Sequence, residues 1–259
     1  MFLAIDTGNS STAFGLFKKE EPFEMTFRFP TASLIEGLNI EDELLPKLAA
    51  LGDLDSVIIS SVVPKATVAL QEIINRSHKE ATIRILSNTD IPIVNRYRDP
   101  SQVGTDRLLC ALASYHLLGK SAGKPLIMIG LGTATTIDCV NENGEYLGGI
   151  IALGVGSSAE YLSMIAAQLP MIDLIFPDHV LGRSTTESMR SGILFGAAAL
   201  IEGLVDRLHK EVFGNTEFIV VATGGLSELF EGKTSVIHYI IPHLVLEGIA
   251  ITASILETK

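Results

Sequence analysis

Tryptophan is missing from this 259-residue chain, cysteine occurs only twice, and aromatic residues make up 6% of it. Neither Cys110 nor Cys139 has Cys or His at metal-ligand spacing, and the six histidines form no HExxH pattern. That argues against a disulfide framework, a structural zinc and a metalloprotease site. Both cysteines read as buried thiols in a reducing cytoplasm. Positive charge is scarce as well: 19 Lys and Arg stand against 30 Asp and Glu, a net charge of −11. The adjacent basic pair Lys18-Lys19 reads as part of a hairpin turn. With no basic stripe to replace phosphate counterions, nucleic-acid binding is disfavoured. No apolar run approaches the roughly 18 residues of a membrane span, since Ile193–Ile201 is stopped by Glu202 and Ile249–Leu256 is short. The N-terminus enters a strand without a basic region or cleavage site, so no secretory signal is expected.

What the chain does have is apolar content, 47% of residues, without low-complexity tracts. It can therefore bury a sizeable core. The most informative stretch is 3–16, Leu-Ala-Ile-Asp-Thr-Gly-Asn-Ser-Ser-Thr-Ala-Phe-Gly-Leu. An apolar strand delivers Asp6 into a Gly/Asn/Ser turn, and a second strand leaves it. Gly8 lets the backbone approach an anion, the turn's N–H groups can cradle it, and Asp6 can hold a hydrated divalent cation against phosphates. Residues 127–140, Ile-Met-Ile-Gly-Leu-Gly-Thr-Ala-Thr-Thr-Ile-Asp-Cys-Val, repeat the strand, turn and strand. The repetition reads as an internal duplication, with halves at 1–115 and 116–259, each near ordinary domain size.

Strands are predicted at 2–6, 12–17, 23–29, 56–61 and 82–86 in the first half, with helices near 41–51 and 65–78 and a connecting segment at 87–100. A helix over 101–118 is expected to link the halves. In the second half, the strand–turn–strand of 127–140 is followed by strands at 145–153 and 217–222 and by helices near 158–168, 185–211 and 244–257. Ser157-Ser-Ala-Glu160 and Ser184-Thr-Thr-Glu187 both match the S-x-x-E capping box at a helix start. Gly154-Val-Gly-Ser-Ser-Ala159 fits a dinucleotide fingerprint, but the strands before it read as an antiparallel meander, which argues against NAD binding.

Val103-Gly-Thr-Asp-Arg107 lies at the start of the linking helix. Asp suits the positive helix end, whereas Arg does not, so Arg107 reads as a clamp for a carboxylate. Asp106 beside it is placed to orient or deprotonate a hydroxyl nucleophile. With Asp6-Thr-Gly-Asn-Ser, Gly104-Thr-Asp-Arg107, Gly132-Thr-Ala-Thr-Thr136, Gly148-Gly149, Ser188-Met-Arg-Ser-Gly192 and Leu246-Glu-Gly248 in this order, the chain resembles the type III pantothenate kinases.

The resemblance implies an α/β fold of duplicated actin-like, ribonuclease H-like ATPase domains, with mixed sheets and a cleft between them. It implies a homodimer and transfer of the ATP γ-phosphate to pantothenate. Carried over, Asp6, Thr7, Gly8, Asn9, Ser10, Ser11, Thr12 and Ala13 form the first ATP loop, Asp6 also serving the magnesium ion, and Thr133 is a second phosphate contact. Asp106 is the catalytic base. Tyr97, Gly104, Thr105, Asp106 and Arg107 bind pantothenate, and Thr185 closes a pocket built across the dimer interface. The family holds a monovalent cation, potassium or ammonium, with an Asp in the second loop. Here that position is Gly130, which offers no carboxylate. This departure keeps a second reading open, a catalytically weak paralogue acting as a binding or regulatory protein. A third is a related kinase for another small hydroxy acid or sugar.

Overall fold

The structure, a computed structural model, describes residues 1–18 and 24–257; Lys19 of the basic pair and Phe23 of the third predicted strand lie outside them. The first half runs β1 (Phe2–Thr7), β2 (Ser11–Phe17), β3 (Glu24–Pro30), α1 (Thr31–Glu36), α2 (Leu45–Ala49), β4 (Ser56–Ser61), α3 (Pro64–Ser77), β5 (Thr82–Ile85) and α4 (Thr105–Ser114). The second continues with α5 (Lys120–Ala122), β6 (Leu126–Leu131), β7 (Ala134–Val140), β8 (Tyr146–Leu153), α6 (Val155–Ile165), α7 (Thr185–Leu208), β9 (Ile219–Thr223), β10 (Tyr239–Ile240) and α8 (Leu244–Glu257).

Two five-stranded sheets carry the duplication. The first is ordered β3-β2-β1-β4-β5 and the second β8-β7-β6-β9-β10. In each, the strand entering the turn is antiparallel to the strand leaving it and parallel to the strand that follows a crossover. Both sheets are thus mixed and share one topology, as a duplicated actin-like fold requires. β7 is antiparallel to both β6 and β8, so the Gly154 segment does not follow a βαβ strand and the dinucleotide motif lacks its structural context.

The chain divides into two compact units, Met1–Ala113 with His243–Lys259, and Ser114–Pro242. The first unit thus takes in the C-terminal segment as well as the N-terminal half. α8 packs on β1, β2 and β4. Gly248 allows this, because a Cβ there would strike the backbone of Leu109 in α4. The apolar side chains Leu3, Ile5, Phe14, Val57, Ile59, Leu70 and Ile74 form the core of the first unit. Ile127, Ile129, Ile137, Leu194, Ile201 and Phe230 do so in the second. With the π-helical turn that follows it, α7 spans 29 residues, long and apolar enough by composition to cross a bilayer. Its Met189, Ile193, Leu194, Ala198, Ile201 and Val205 are buried in the second unit.

Local differences from the sequence reading have local causes. α1 and β10 are too short for periodicity to register. The predicted helix at 41–51 is a π-helical turn, Ile40–Leu44, joined to α2. α6 starts three residues before the predicted 158, at Val155 with Gly154 as its cap. No capping box forms at Ser157 because its hydroxyl donates instead to the Thr133 carbonyl, at 2.9 Å. At α7 the Ser184 hydroxyl accepts from Glu187 N–H at 3.2 Å, and the Glu187 carboxylate reaches one residue further back, to Arg183 N–H.

Candidate active site

β1 ends at Thr7, and β2 begins at Ser11, so Gly8, Asn9 and Ser10 form the turn between them. Gly8 N–H closes it on the Ser11 carbonyl at 3.1 Å. Asn9 and Ser10 are exposed, whereas Thr7, Thr12 and Ala13 are buried. The Thr12 hydroxyl pairs with that of Thr31 at 3.1 Å. Thr12 and Ala13 therefore turn their side chains into the protein and brace the loop from within. Thr7 Oγ1 is buried and has no hydrogen-bond partner among the described residues. A buried hydroxyl left unsatisfied costs about 1–3 kcal/mol.

Asp6 stands beside this loop. Burial, and then the charge of Asp106, push its carboxyl up to about 7, with Arg28 opposing. Asp106 itself lies in the first turn of α4. Burial raises its pKa, while hydrogen bonds from the Arg107 and Asp106 backbone N–H groups and the Arg107 charge pull it down. The two acids, a hundred residues apart in sequence, are brought within electrostatic reach of each other in the first unit. A positive charge between or beside them would favour both carboxylates.

The segment leading to Asp106 is held by side-chain amides. Asn88 Nδ2 donates to the Val103 carbonyl at 2.7 Å, and Asn95 Nδ2 to that of Pro100 at 3.3 Å. Asn95 Oδ1 accepts from Tyr97 N–H at 3.0 Å, and Tyr97 is half-buried. Thr105 is buried, its hydroxyl accepting from Ser60 at 3.0 Å, which ties the start of α4 to the end of β4. Gly104 leaves the space into which the Asp106 carboxylate folds, since a Cβ there would collide with Asp106 Oδ1.

In the second unit the Gly132-Thr133 turn matches the first loop. Its Thr133 is exposed, and the Thr133 carbonyl is held by Gly154 N–H at 3.2 Å as well as by Ser157. Gly130 pairs with Thr136 across β6 and β7, and Thr136 Oγ1 stands 2.5 Å from where a Gly130 Cβ would be. On the same face of β7 as Thr136, Asp138 is buried and accepts from the Tyr146 hydroxyl at 2.7 Å. Thr185, exposed at the start of α7, lines an open groove of about 1120 Å³ with Leu153, Tyr161, Gly192, Gly196 and Leu200.

A model of the family described as type III pantothenate kinase matches residues 2–207. The chain belongs to that family. Its relatives include the type III pantothenate kinase 1 of Symbiobacterium thermophilum, 37% identical over 96% of this chain and 94% of that one. The type III pantothenate kinase of Moorella thermoacetica is 36% identical over 97% and 98%. Among solved structures, a Campylobacter jejuni protein described as a Baf family transcriptional activator has a TM-score of 0.62 at 18% identity, covering 99% of this chain and 100% of that one. The activator of 2-hydroxyisocaproyl-CoA dehydratase from Clostridium difficile has a TM-score of 0.50 at 14% identity, covering 100% and 97%. At those identities the likeness is one of fold alone. For a member of the type III pantothenate kinases, the structure adds Arg28, Thr31 and Asn88 around the candidate site. They sit on β3, at the start of α1 and after β5, far from the motifs, and nothing in their local sequence marks them.

Among the described residues no three His, Cys, Asp or Glu side chains gather around one point. The acids therefore fit a divalent cation that arrives on nucleotide phosphates and takes one carboxylate, better than a resident metal with a full protein cage.

Proposed function

We propose that this chain transfers the γ-phosphoryl group of ATP to the primary hydroxyl of pantothenate, giving 4′-phosphopantothenate, the first step towards coenzyme A. Family membership supports the reaction class, and the observation that carries the residue assignment is the held carboxylate of Asp106, coupled in charge to Asp6 beside an anion-ready turn. In this reading the loop Thr7–Ser11 receives phosphate oxygens through its backbone, Thr12 and Ala13 back the loop, and Thr133 is a further candidate for a phosphate contact. Asp6 would hold the water shell of magnesium, whose charge would offset the burial and the Asp106 repulsion that raise the Asp6 carboxyl. Asp106 orients the pantothenate hydroxyl and accepts its proton. Tyr97, Gly104 and Thr105 shape its surroundings, and Arg107 pairs with the pantothenate carboxylate. Phosphoryl transfer needs little beyond such positioning and charge.

The groove lined by Thr185 supports a homodimer. A Cβ on Gly192 or Gly196 would meet no atom of another element within 4 Å, and Leu153 and Tyr161, which line the groove, are more than half exposed. A second copy covering this apolar face is the simplest occupant. Gly130 removes the family's acid, so turnover without potassium is expected.

The test is ATP-dependent phosphorylation of pantothenate by the purified protein with magnesium, run in potassium, ammonium and sodium salts beside Asp106→Asn. Turnover lost in the variant supports the reading. Absence of turnover in every salt, with a folded protein, overturns it.

A further inference from the structure

We infer that Thr31 is a positioning residue of the first phosphate loop. It lies outside every motif that identifies the family, yet one side chain and one backbone group of this residue hold two of the three turn peptides. Its hydroxyl donates to the Gly8 carbonyl at 2.7 Å, and its backbone N–H donates to the Ser10 carbonyl at 3.1 Å. The contact follows from the topology. β3 pairs with β2 in the register Ser11↔Pro30 and Thr12↔Phe29, so the chain leaves the sheet directly alongside the β1–β2 turn, and Thr31 is the first residue of α1.

A trans peptide is planar, and its C=O and N–H point in opposite directions. Drawing the Gly8 carbonyl towards Thr31 therefore aims the Asn9 N–H away from it. Drawing in the Ser10 carbonyl does the same for the Ser11 N–H. Thr31 is fully buried, and its oxygen is fixed from a second side by the Thr12 hydroxyl at 3.1 Å. The loop's donors are thus set before any anion arrives, which lowers the ordering cost of binding.

The inference rests on reading residues 7–11 as a phosphate loop, and its test is separable from the substrate assignment. Binding of magnesium with a non-hydrolysable ATP analogue, adenylyl imidodiphosphate, is measured by calorimetry for the wild type and for Thr31→Ser, Thr31→Ala and Thr31→Val, alongside melting temperatures and KM values. Ser keeps the hydroxyl, whereas Ala removes it and Val replaces it with a methyl. The expected result is analogue affinity within about twofold of wild type for Ser, and about five- to tenfold weaker for whichever of Ala and Val folds, the worth of one hydrogen bond. KM for ATP rises in step and KM for pantothenate stays put. Folded Ala or Val variants with wild-type affinity would overturn it, as would a Ser variant that loses as much as Ala. A wild type that binds the analogue but does not phosphorylate pantothenate sinks the substrate reading and leaves this one standing.

Discussion

The carboxylate of Asp106 folds back over Gly104, in space that a side chain at 104 would fill. The obstacle is the movable end of a side chain, so Gly104→Ala is expected to fold with a melting temperature within a few degrees of wild type. The displaced carboxylate, however, would no longer meet the substrate hydroxyl. kcat should fall by about tenfold or more, and in Asp106→Asn by about 10²–10⁴-fold, the usual worth of a general base. Thermal melts and steady-state kinetics on both variants check this. A Gly104→Ala enzyme with full kcat would mean that Asp106 has no fixed station.

Arg28 is exposed on β3, donates to Ser11 Oγ at 3.4 Å and opposes the upward shift of Asp6. A guanidinium there faces the entrance to the first loop. Arg28→Ala is expected to raise KM for Mg·ATP about three- to tenfold, the worth of an exposed charge–phosphate contact, and to leave KM for pantothenate unchanged. The effect should shrink as salt is raised.

Gly130→Asp restores the acid the family carries, but Thr136 Oγ1 occupies the path of its Cβ, and Asp138 lies on the same face of β7. Crowding of this kind costs about 1–3 kcal/mol. The single variant should melt lower than wild type, and adding Thr136→Ala should recover part of the loss. If the restored carboxylate recreates a cation site, potassium should stimulate the double variant and not the wild type.

Asp90 is pulled down to about 2 by the Ser87 hydroxyl, the Ser87 N–H and Arg84. Its folded-state pKa lies below the ordinary 3.8, so its stabilising contribution is complete above that value and is lost as pH falls towards 2. The group is partly exposed, and solvent screening leaves about 1 kcal/mol at neutral pH. Asp90→Asn should be less stable than wild type by that amount at pH 7, with the two converging in denaturant titrations between pH 4 and pH 2.

The small-residue face of α7 gives a mass prediction. Gly196→Arg places a charge where a second copy would pack. It should convert a dimer to a monomer in sedimentation equilibrium without lowering the helical signal, because a Cβ at that position would meet no atom of another element within 4 Å.

Strand–turn–strand repetition, the capping residue Ser184 and the Gly104–Arg107 block are local patterns, and the sequence alone was enough to place them, to reveal the duplication and to pick out Asp6 and Asp106. Periodicity and turn chemistry are written in consecutive residues, so they survive without coordinates. The pairing of Thr31 with Gly8, of Asn88 with Val103 and of Ser60 with Thr105 joins residues whose neighbours carry no signal of the contact. So does the return of α8 to the first unit, where Gly248 meets Leu109 of α4. These were decided by strand register and by close backbone approach, which arise only when the two sheets have formed and buried polar groups must find partners across the chain.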